Sequence, residues 1–270
     1  MDSVEGLTAV APTGAPAPSP YVRADLYDFL FRDYTADLDF YLAAARAARG
    51  PVLDLGCGTG RVLLRALAAG IDMDGLDASA EMLDRLRANA RARGLDPRVT
   101  LGDMRAFRLE RRYACVMIPF NAWAHNLTTD DQLGTLRSCR EHLEPGGRLV
   151  FDAFSATPAM IATPVAEPVL ELEAAHPETG SLMRLYDGRR LDVAAQTQHS
   201  MIEIHEVPAG GGETRVHRFE TLVRWVYPSE MELLLRLAGF ARWTITGGFD
   251  DRPVAEHQGS IVVSAFTEGG

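Results

Sequence analysis

Between Tyr21 and Arg49 the apolar and aromatic side chains recur at helical intervals: Leu26, Phe29 and Leu30, then Leu38, Tyr41, Leu42 and Ala45. This period predicts two amphipathic helices, interrupted near Asp33 to Thr35. Beyond Arg49 the pattern alternates between short apolar runs and longer helical ones. It predicts strand 51–55, helix 59–69, strand 71–76, helix 79–93, strands 98–102 and 113–118, helix 130–142 and strand 147–154. Such alternation builds a parallel sheet with helices on its faces, whose ligands sit past the carboxyl ends of the strands where strand order reverses. Asp54, Asp77, Asp103 and Pro119 all fall at or just past such ends.

Residues 155–226 have a different texture. Pro158, Pro164, Pro168 and Pro177 come first, followed by period-two stretches over Met201 to Val207 and Val216 to Val226. We read an antiparallel β insertion, with Pro208-Ala-Gly-Gly-Gly212 turning one of its hairpins. A helix after Pro228-Ser-Glu runs to Ala238 and stops at Gly239; strands 241–246 and 260–266 then close the sheet. At the other end, Pro12, Pro16, Pro18 and Pro20 stand among Ala, Gly, Ser and Thr, a composition too poor in apolar surface to offset the entropy of ordering. The expected organisation is a disordered tail (1–20), lid helices and a cofactor-binding core (21–154), a β-rich insertion acting as substrate lid (155–226) and a C-terminal completion of the core (227–270).

The chemistry concentrates in Pro51-Val-Leu-Asp-Leu-Gly-Cys-Gly-Thr-Gly-Arg61, a strand running into a glycine-packed turn. Gly56, Gly58 and Gly60 accept positive φ and carry no Cβ, so the turn can lie against a small-molecule cofactor with its N–H groups directed at it. Asp54 adds a carboxylate beside the crevice. About twenty residues on, Asp77 ends the next strand, where a carboxylate can accept both hydroxyls of a ribose. Asp77 or Ser79 can equally cap the following helix. Asp103, in Gly102-Asp-Met-Arg105, can accept from an adenine amino group with Met104 against the ring, or form an Asx-turn.

A dinucleotide fold would place its third glycine where Arg61 stands. The form LDLGCGTG instead resembles motif I of the class I S-adenosylmethionine-dependent methyltransferases, and Asp77, Gly102-Asp-Met and the Glu144-Pro-Gly-Gly turn resemble that family too. The resemblance covers residues 21–154 well and 227–266 in outline. Amino-sugar N-methyltransferases and glycine N-methyltransferase are similar in organisation. It implies a Rossmann-like α/β fold, a seven-stranded sheet that is mostly parallel with its last strand antiparallel. It further implies S-adenosyl-L-methionine as cofactor, held by Tyr34, Asp54, Gly56, Cys57, Gly58, Gly60, Asp77, Ala78, Met82, Asp103, Met104 and Pro119.

The acceptor is expected beside Ile118-Pro-Phe-Asn-Ala-Trp-Ala-His-Asn126, after the fourth strand. This segment departs from the Asn/Asp-Pro-Pro-aromatic tetrad of nucleic-acid amino methyltransferases. Phe120, Asn121 and Trp123, with Tyr27 from the lid, are candidate substrate-binding residues; Trp123 and the tyrosines also suit ordinary packing. His125 is the candidate general base, because imidazole titrates near neutrality; a structural histidine is the alternative. Arg61 can reach the methionine carboxylate or face water. His199, His205 and His217 lie on a mixed face of the insertion that reads as solvent or dimer surface, and no metal site is assigned.

Composition narrows the partners. Among 270 residues, 27 basic against 37 acidic give a net charge of −10, a field that repels nucleic acid and anionic membrane. No run reaches the roughly 18–20 apolar residues of a membrane span, so a cytoplasmic protein is expected. Cys57, Cys115 and Cys139 have neither disulfide nor metal spacing. The expected activity is methyl transfer to an N or O atom of a small-molecule acceptor in specialised metabolism, with a homodimer through the insertion as a permitted assembly. A non-methylating reaction of the bound sulfonium, such as cyclisation, and a non-catalytic binding role are the alternatives.

Overall fold

The computed structural model describes residues 17–163, 167–177 and 179–269. The expected tail therefore falls outside the described residues up to position 16, as does Pro164. A single 3₁₀ turn, Pro20–Arg23, leads into α1 (Ala24–Phe31) and α2 (Leu38–Ala47). The core follows as β1 (Val52–Leu55), α3 (Leu63–Ala68), β2 (Met73–Asp77), α4 (Ala80–Arg91), β3 (Val99–Leu101), β4 (Tyr113–Ile118), α5 (Thr129–His142) and β5 (Leu143–Phe154). Next come α6 (Pro158–Ala162), β6 (Val169–Ala175), β7 (Leu182–Asp192), β8 (Thr197–Val207) and β9 (Arg215–Arg224). The chain closes with α7 (Pro228–Ala238), β10 (Arg242–Thr246) and β11 (Ser260–Phe266).

Two sheets organise the chain. The larger has seven strands in the order β10-β11-β5-β4-β1-β2-β3, and its final strand β11 runs antiparallel to β5 and β10. β1 pairs in parallel with both β2 and β4, so strand order reverses there and a crevice opens past Leu55 and Ile118. β1 is buried along its whole length and reads as an unbroken apolar run apart from Asp54, as a strand covered on both faces must. The smaller sheet is the insertion, an antiparallel meander in the order β6-β7-β8-β9. Gly239, at φ +84°, ends α7 in the left-handed conformation expected of a C-terminal glycine.

α3 begins four residues later than the pattern predicted. Gly56, Gly58 and Gly60 all have positive φ, between +55° and +90°, and a right-handed helix cannot start until that run has ended. At the amino end, residues 17–20 join the fold: Ser19 caps the 3₁₀ turn, and the Glu220 amide donates to the Pro18 carbonyl at 3.1 Å. α1 is fixed on two sides. Its buried Asp28 accepts from Arg85 (2.9 Å) and Asn89 (3.1 Å) on α4, while Leu26 packs into an apolar cluster with Met183, Leu185, Ile204 and Phe219 of the small sheet. α1 thus bridges the core and the small sheet. Among the described residues, no helix is long and apolar enough to cross a membrane.

Candidate active site

The glycine turn is held from below by β2. Gly56 and Cys57 donate their amides to the Leu76 carbonyl at 2.7 and 3.1 Å, and Gly58 donates to a carboxylate oxygen of Asp77 at 2.8 Å. The other oxygen of Asp77 accepts from the Ser79 amide at 2.9 Å, while the Ser79 hydroxyl caps α4 through Met82 N–H at 3.2 Å. Capping and turn-holding therefore fall to different groups, and Asp77 keeps an edge on the cavity. Burial raises its carboxyl above the usual range, offset by those amides.

That cavity, of about 510 Å³, is lined by Gly56, Gly58, Asp77, Ala78, Met82, Asp103, Met104, Pro119, Phe120, Tyr27 and His125 among others. Most of the residues expected around cofactor and acceptor thus come together. A Cβ on Gly56 would stand 2.9 Å from the Ala122 methyl, so the turn and the loop after β4 approach as closely as a glycine allows. Beside them a small recess of about 40 Å³ is walled by Asp54, Gly56, Cys57 and Arg61. Asp54 is 1 % exposed and its Oδ1 has no hydrogen-bond partner among the described residues. Burial pushes this carboxyl up to about 8, with Arg61 pulling it down and Asp77 and Asp37 pushing it higher. A buried acceptor of this kind calls for a donor. The folded state holds the proton more tightly than the unfolded chain, so the stability it contributes is fully present below about 3.8 and is lost as the pH rises through about 8.

Some expected residues take other places. Gly60 is off the cavity wall: a Cβ there would meet Leu64 at 2.8 Å and Leu86 at 3.0 Å, which makes it a packing glycine between turn and helices. Tyr34, 40 % exposed, lays its ring on Phe120 with centroids 5.0 Å apart, outside the cavity. Trp123 is fully buried against Phe151 and belongs to the core rather than the acceptor pocket. The reason is local geometry. Ala122–His125 form a 3₁₀ turn in which positions three apart share a face, so Ala122 and His125 meet the cavity and Trp123 is driven inward. Arg61 makes a two-pronged ion pair with buried Asp37, at 2.5 and 2.6 Å, donates to the Tyr34 carbonyl and lies over the Phe120 ring; it ties the segment after α1 to the end of the glycine turn while also walling the recess beside Asp54. Asp103 lines the cavity and also makes the Asx-type contact, accepting from the Arg105 amide at 2.9 Å and from its guanidinium.

Three residues escaped the sequence reading. Tyr21 lines the cavity and its hydroxyl lies 2.6 Å from His125 Nε2. The Ser-Pro pair at 19–20, an N-cap followed by proline at the first position, was the available signal for an element starting there. Burial pushes the Tyr21 phenol well above its usual range and the His125 imidazole below its own, so both are neutral near pH 7. Asp152, on β5, governs the loop between. Phe120 and Asn121 adopt positive φ of +59° and +55°, a costly conformation for residues with side chains. The Asp152 carboxylate accepts from the Asn121 amide at 2.7 Å and from the Tyr41 hydroxyl, which holds that loop in place. Burial raises Asp152 to about 6. The third, Asn126, lines the cavity and ties the loop to α5, accepting from the Thr135 hydroxyl at 2.7 Å.

A glycine turn after β1, a carboxylate at the end of β2 and α1 packed beside them surround one cavity at the switch point. Residues 52–147 match the model of a methyltransferase domain. The chain carries a methyltransferase domain over that stretch. It is 34 % identical over 137 residues to a dTDP-3-amino-3,4,6-trideoxy-alpha-D-glucopyranose N,N-dimethyltransferase of Streptomyces venezuelae, covering 48 % of this chain and 56 % of that enzyme. The cypemycin N-terminal methyltransferase of a Streptomyces species is 25 % identical over 78 % of this chain and 81 % of its own length. Among solved structures, the CcbJ methyltransferase of Streptomyces caelestis superposes with a TM-score of 0.71 at 28 % identity, covering 93 % of this chain and 99 % of that one. The chain thus spans a little over half the length of the first of these curated relatives, and nearly the whole of the structural one.

Proposed function

We propose that this chain is a class I S-adenosylmethionine-dependent methyltransferase, transferring a methyl group from S-adenosylmethionine to the nitrogen of a small-molecule amine. The observation that carries the reading is the Tyr21–His125 pair, which stands between the cavity under the glycine turn and a second cavity reaching toward the insertion. The residues present fit the donor. Asp77 would hold the ribose hydroxyls and Met82 and Met104 the adenine faces, while the orphaned Oδ1 of Asp54, at the small recess beside the cavity, would take the ammonium of the methionine moiety. Gly56 and Gly58 admit the ligand against backbone, and Pro119 and Phe120 close the floor toward the acceptor. Sequence alone left nitrogen and oxygen acceptors open; the names of the relatives, N-methyltransferases acting on an amino sugar and on a peptide amine, favour nitrogen.

When bound, the sulfonium supplies an electrophilic methyl carbon, displaced in line by the incoming nucleophile. The protein's share is positioning and a proton. An amine is mostly protonated near neutral pH and must be neutral to attack. The Tyr21 phenol and His125 imidazole, both uncharged and in hydrogen-bond contact, can take that proton as a unit, the phenol relaying it to the ring. Tyr27 packs its ring against Tyr21, with centroids 5.7 Å apart. Asp152 and Tyr41 act one step back by holding the 120–121 backbone.

The role of the pair is tested by His125→Ala, with kcat, its pH dependence and S-adenosylhomocysteine affinity measured together. Removing a general base typically costs about 10²-fold or more in rate. We expect a kcat loss of that order, donor affinity within about twofold of wild type, and the loss of the acidic limb that reports the base. An unchanged acidic limb would rule His125 out as the proton acceptor.

A further inference from the structure

The second cavity, about 210 Å³, lies between α1 and the small sheet and shares Tyr21, Tyr27, Phe120 and His125 with the donor cavity. Its remaining wall is apolar: Leu26 and Leu30 from the lid, Leu185, Ile202, Ile204 and Phe219 from the insertion. Against about 30 Å³ for one water in the liquid, it has room for a ring or a short chain. The groups that can orient a polar atom stand at the end nearest the donor, namely the Tyr21–His125 pair with Asn121; Thr221 is the polar residue on the sheet side.

No aspartate, glutamate or arginine side chain lines this cavity among the described residues; its one titratable nitrogen base is His125, held by Tyr21. All 27 basic residues of the chain are arginine, and those flanking this region already have carboxylate partners: Arg23 on Asp25, Arg218 on Glu203, Arg224 on Glu230. The adjoining open cavity past Asn121 and Val223 contains Arg189, whose guanidinium is met by Asp187 at 2.6 Å and Glu171 at 2.7 Å. A diphosphate placed here would lose its water and gain no free cation, an expensive exchange. An uncharged hydrocarbon limb loses nothing and buries its surface.

Resting on the amine-methylation reading above, we infer that the insertion selects an acceptor whose amine is carried on an uncharged apolar limb, with that limb seated between α1 and the small sheet, and that it rejects nucleotide-linked amines. The dTDP-linked sugar in the name of the curated relative is therefore not the acceptor class of this chain.

The test is calorimetric titration of n-alkyl primary amines, ethylamine through hexylamine, into protein saturated with S-adenosylhomocysteine, followed by a dTDP-linked amino sugar. Burying each added methylene is expected to raise affinity about fourfold until the cavity is full, and the dTDP-linked amine is expected to bind more weakly than hexylamine. Thr221→Arg, which places a cation on the sheet wall, should flatten the alkyl series while S-adenosylhomocysteine still binds, the latter also showing that the variant is folded. A flat series in the wild-type protein, or tighter binding of the dTDP-linked amine, overturns the inference. Failure of S-adenosylhomocysteine to bind, scored before any amine is added, overturns the methyltransferase reading on which it rests.

Discussion

Replacing Asp77 by alanine is expected to weaken S-adenosylhomocysteine binding by about 100-fold or more, while His125→Ala leaves it within about twofold. The asymmetry follows from where each group spends its hydrogen bonds. A hydrogen bond to a charged group is worth about 1.5–3 kcal/mol, and an Asp77 holding two ribose hydroxyls would lose two of them. The same carboxylate accepts from the Gly58 and Ser79 amides, so its loss also loosens the turn from β2. Asp77→Asn keeps an acceptor oxygen in place and should recover part of the loss. His125 touches Tyr21 and faces the acceptor side, where its absence is felt in turnover. Isothermal calorimetry on the variants, with thermal melting to show that each is folded, checks the order; a larger binding loss in His125→Ala than in Asp77→Ala would contradict these roles.

The second large effect is on stability. Gly60→Ala is expected to destabilise the protein by about 2–5 kcal/mol with little change in the donor affinity of the molecules that remain folded. Gly60 has φ +90°, outside the range a side chain accepts without strain, which costs roughly 1–2 kcal/mol. Its Cβ would press on Leu64 and Leu86 at 2.8–3.0 Å, both buried and unable to withdraw, and overpacking of this kind costs typically about 1–3 kcal/mol. Against a total stability of about 5–15 kcal/mol the change is large. Urea unfolding of the two proteins measures it. A Gly60→Ala protein that melts normally but fails to bind S-adenosylhomocysteine would instead place Gly60 against the cofactor.

Gly60 also shows where sequence stops being informative. Its membership of the G-x-G-x-G turn was plain, but which glycine faces the ligand and which faces α3 and α4 is decided by helices packed around the turn. Asp54 and Asp77 were legible because strand ends are marked by the switch from apolar runs to turn residues, and parallel strands bring those ends to one edge. Trp123 was not, since its direction depends on the left-handed pair Phe120-Asn121, which composition does not announce. Tyr21 lay hidden at the border of a proline-rich segment, held by contacts such as Pro18 with Glu220 that span about two hundred residues of chain. The Arg61–Asp37 pair and the Asp152 support of the loop are long-range in the same sense, joining elements whose neighbourhood only the fold creates. The alternation in the insertion predicted strands, yet its apolar cavity exists because α1 lies across them.

The central claim, that this edge binds the sulfonium donor through Asp54 and Asp77, is tested most directly by titrating S-adenosylhomocysteine into the wild-type protein at pH 7 in two buffers of different ionisation enthalpy. Asp54, raised to about 8, is mostly protonated at that pH in the free protein, and an ammonium beside it would drive it to ionise. The account predicts saturable binding at one site per chain, with release of up to about one proton that disappears in Asp54→Asn. No saturable heat in either buffer would contradict it.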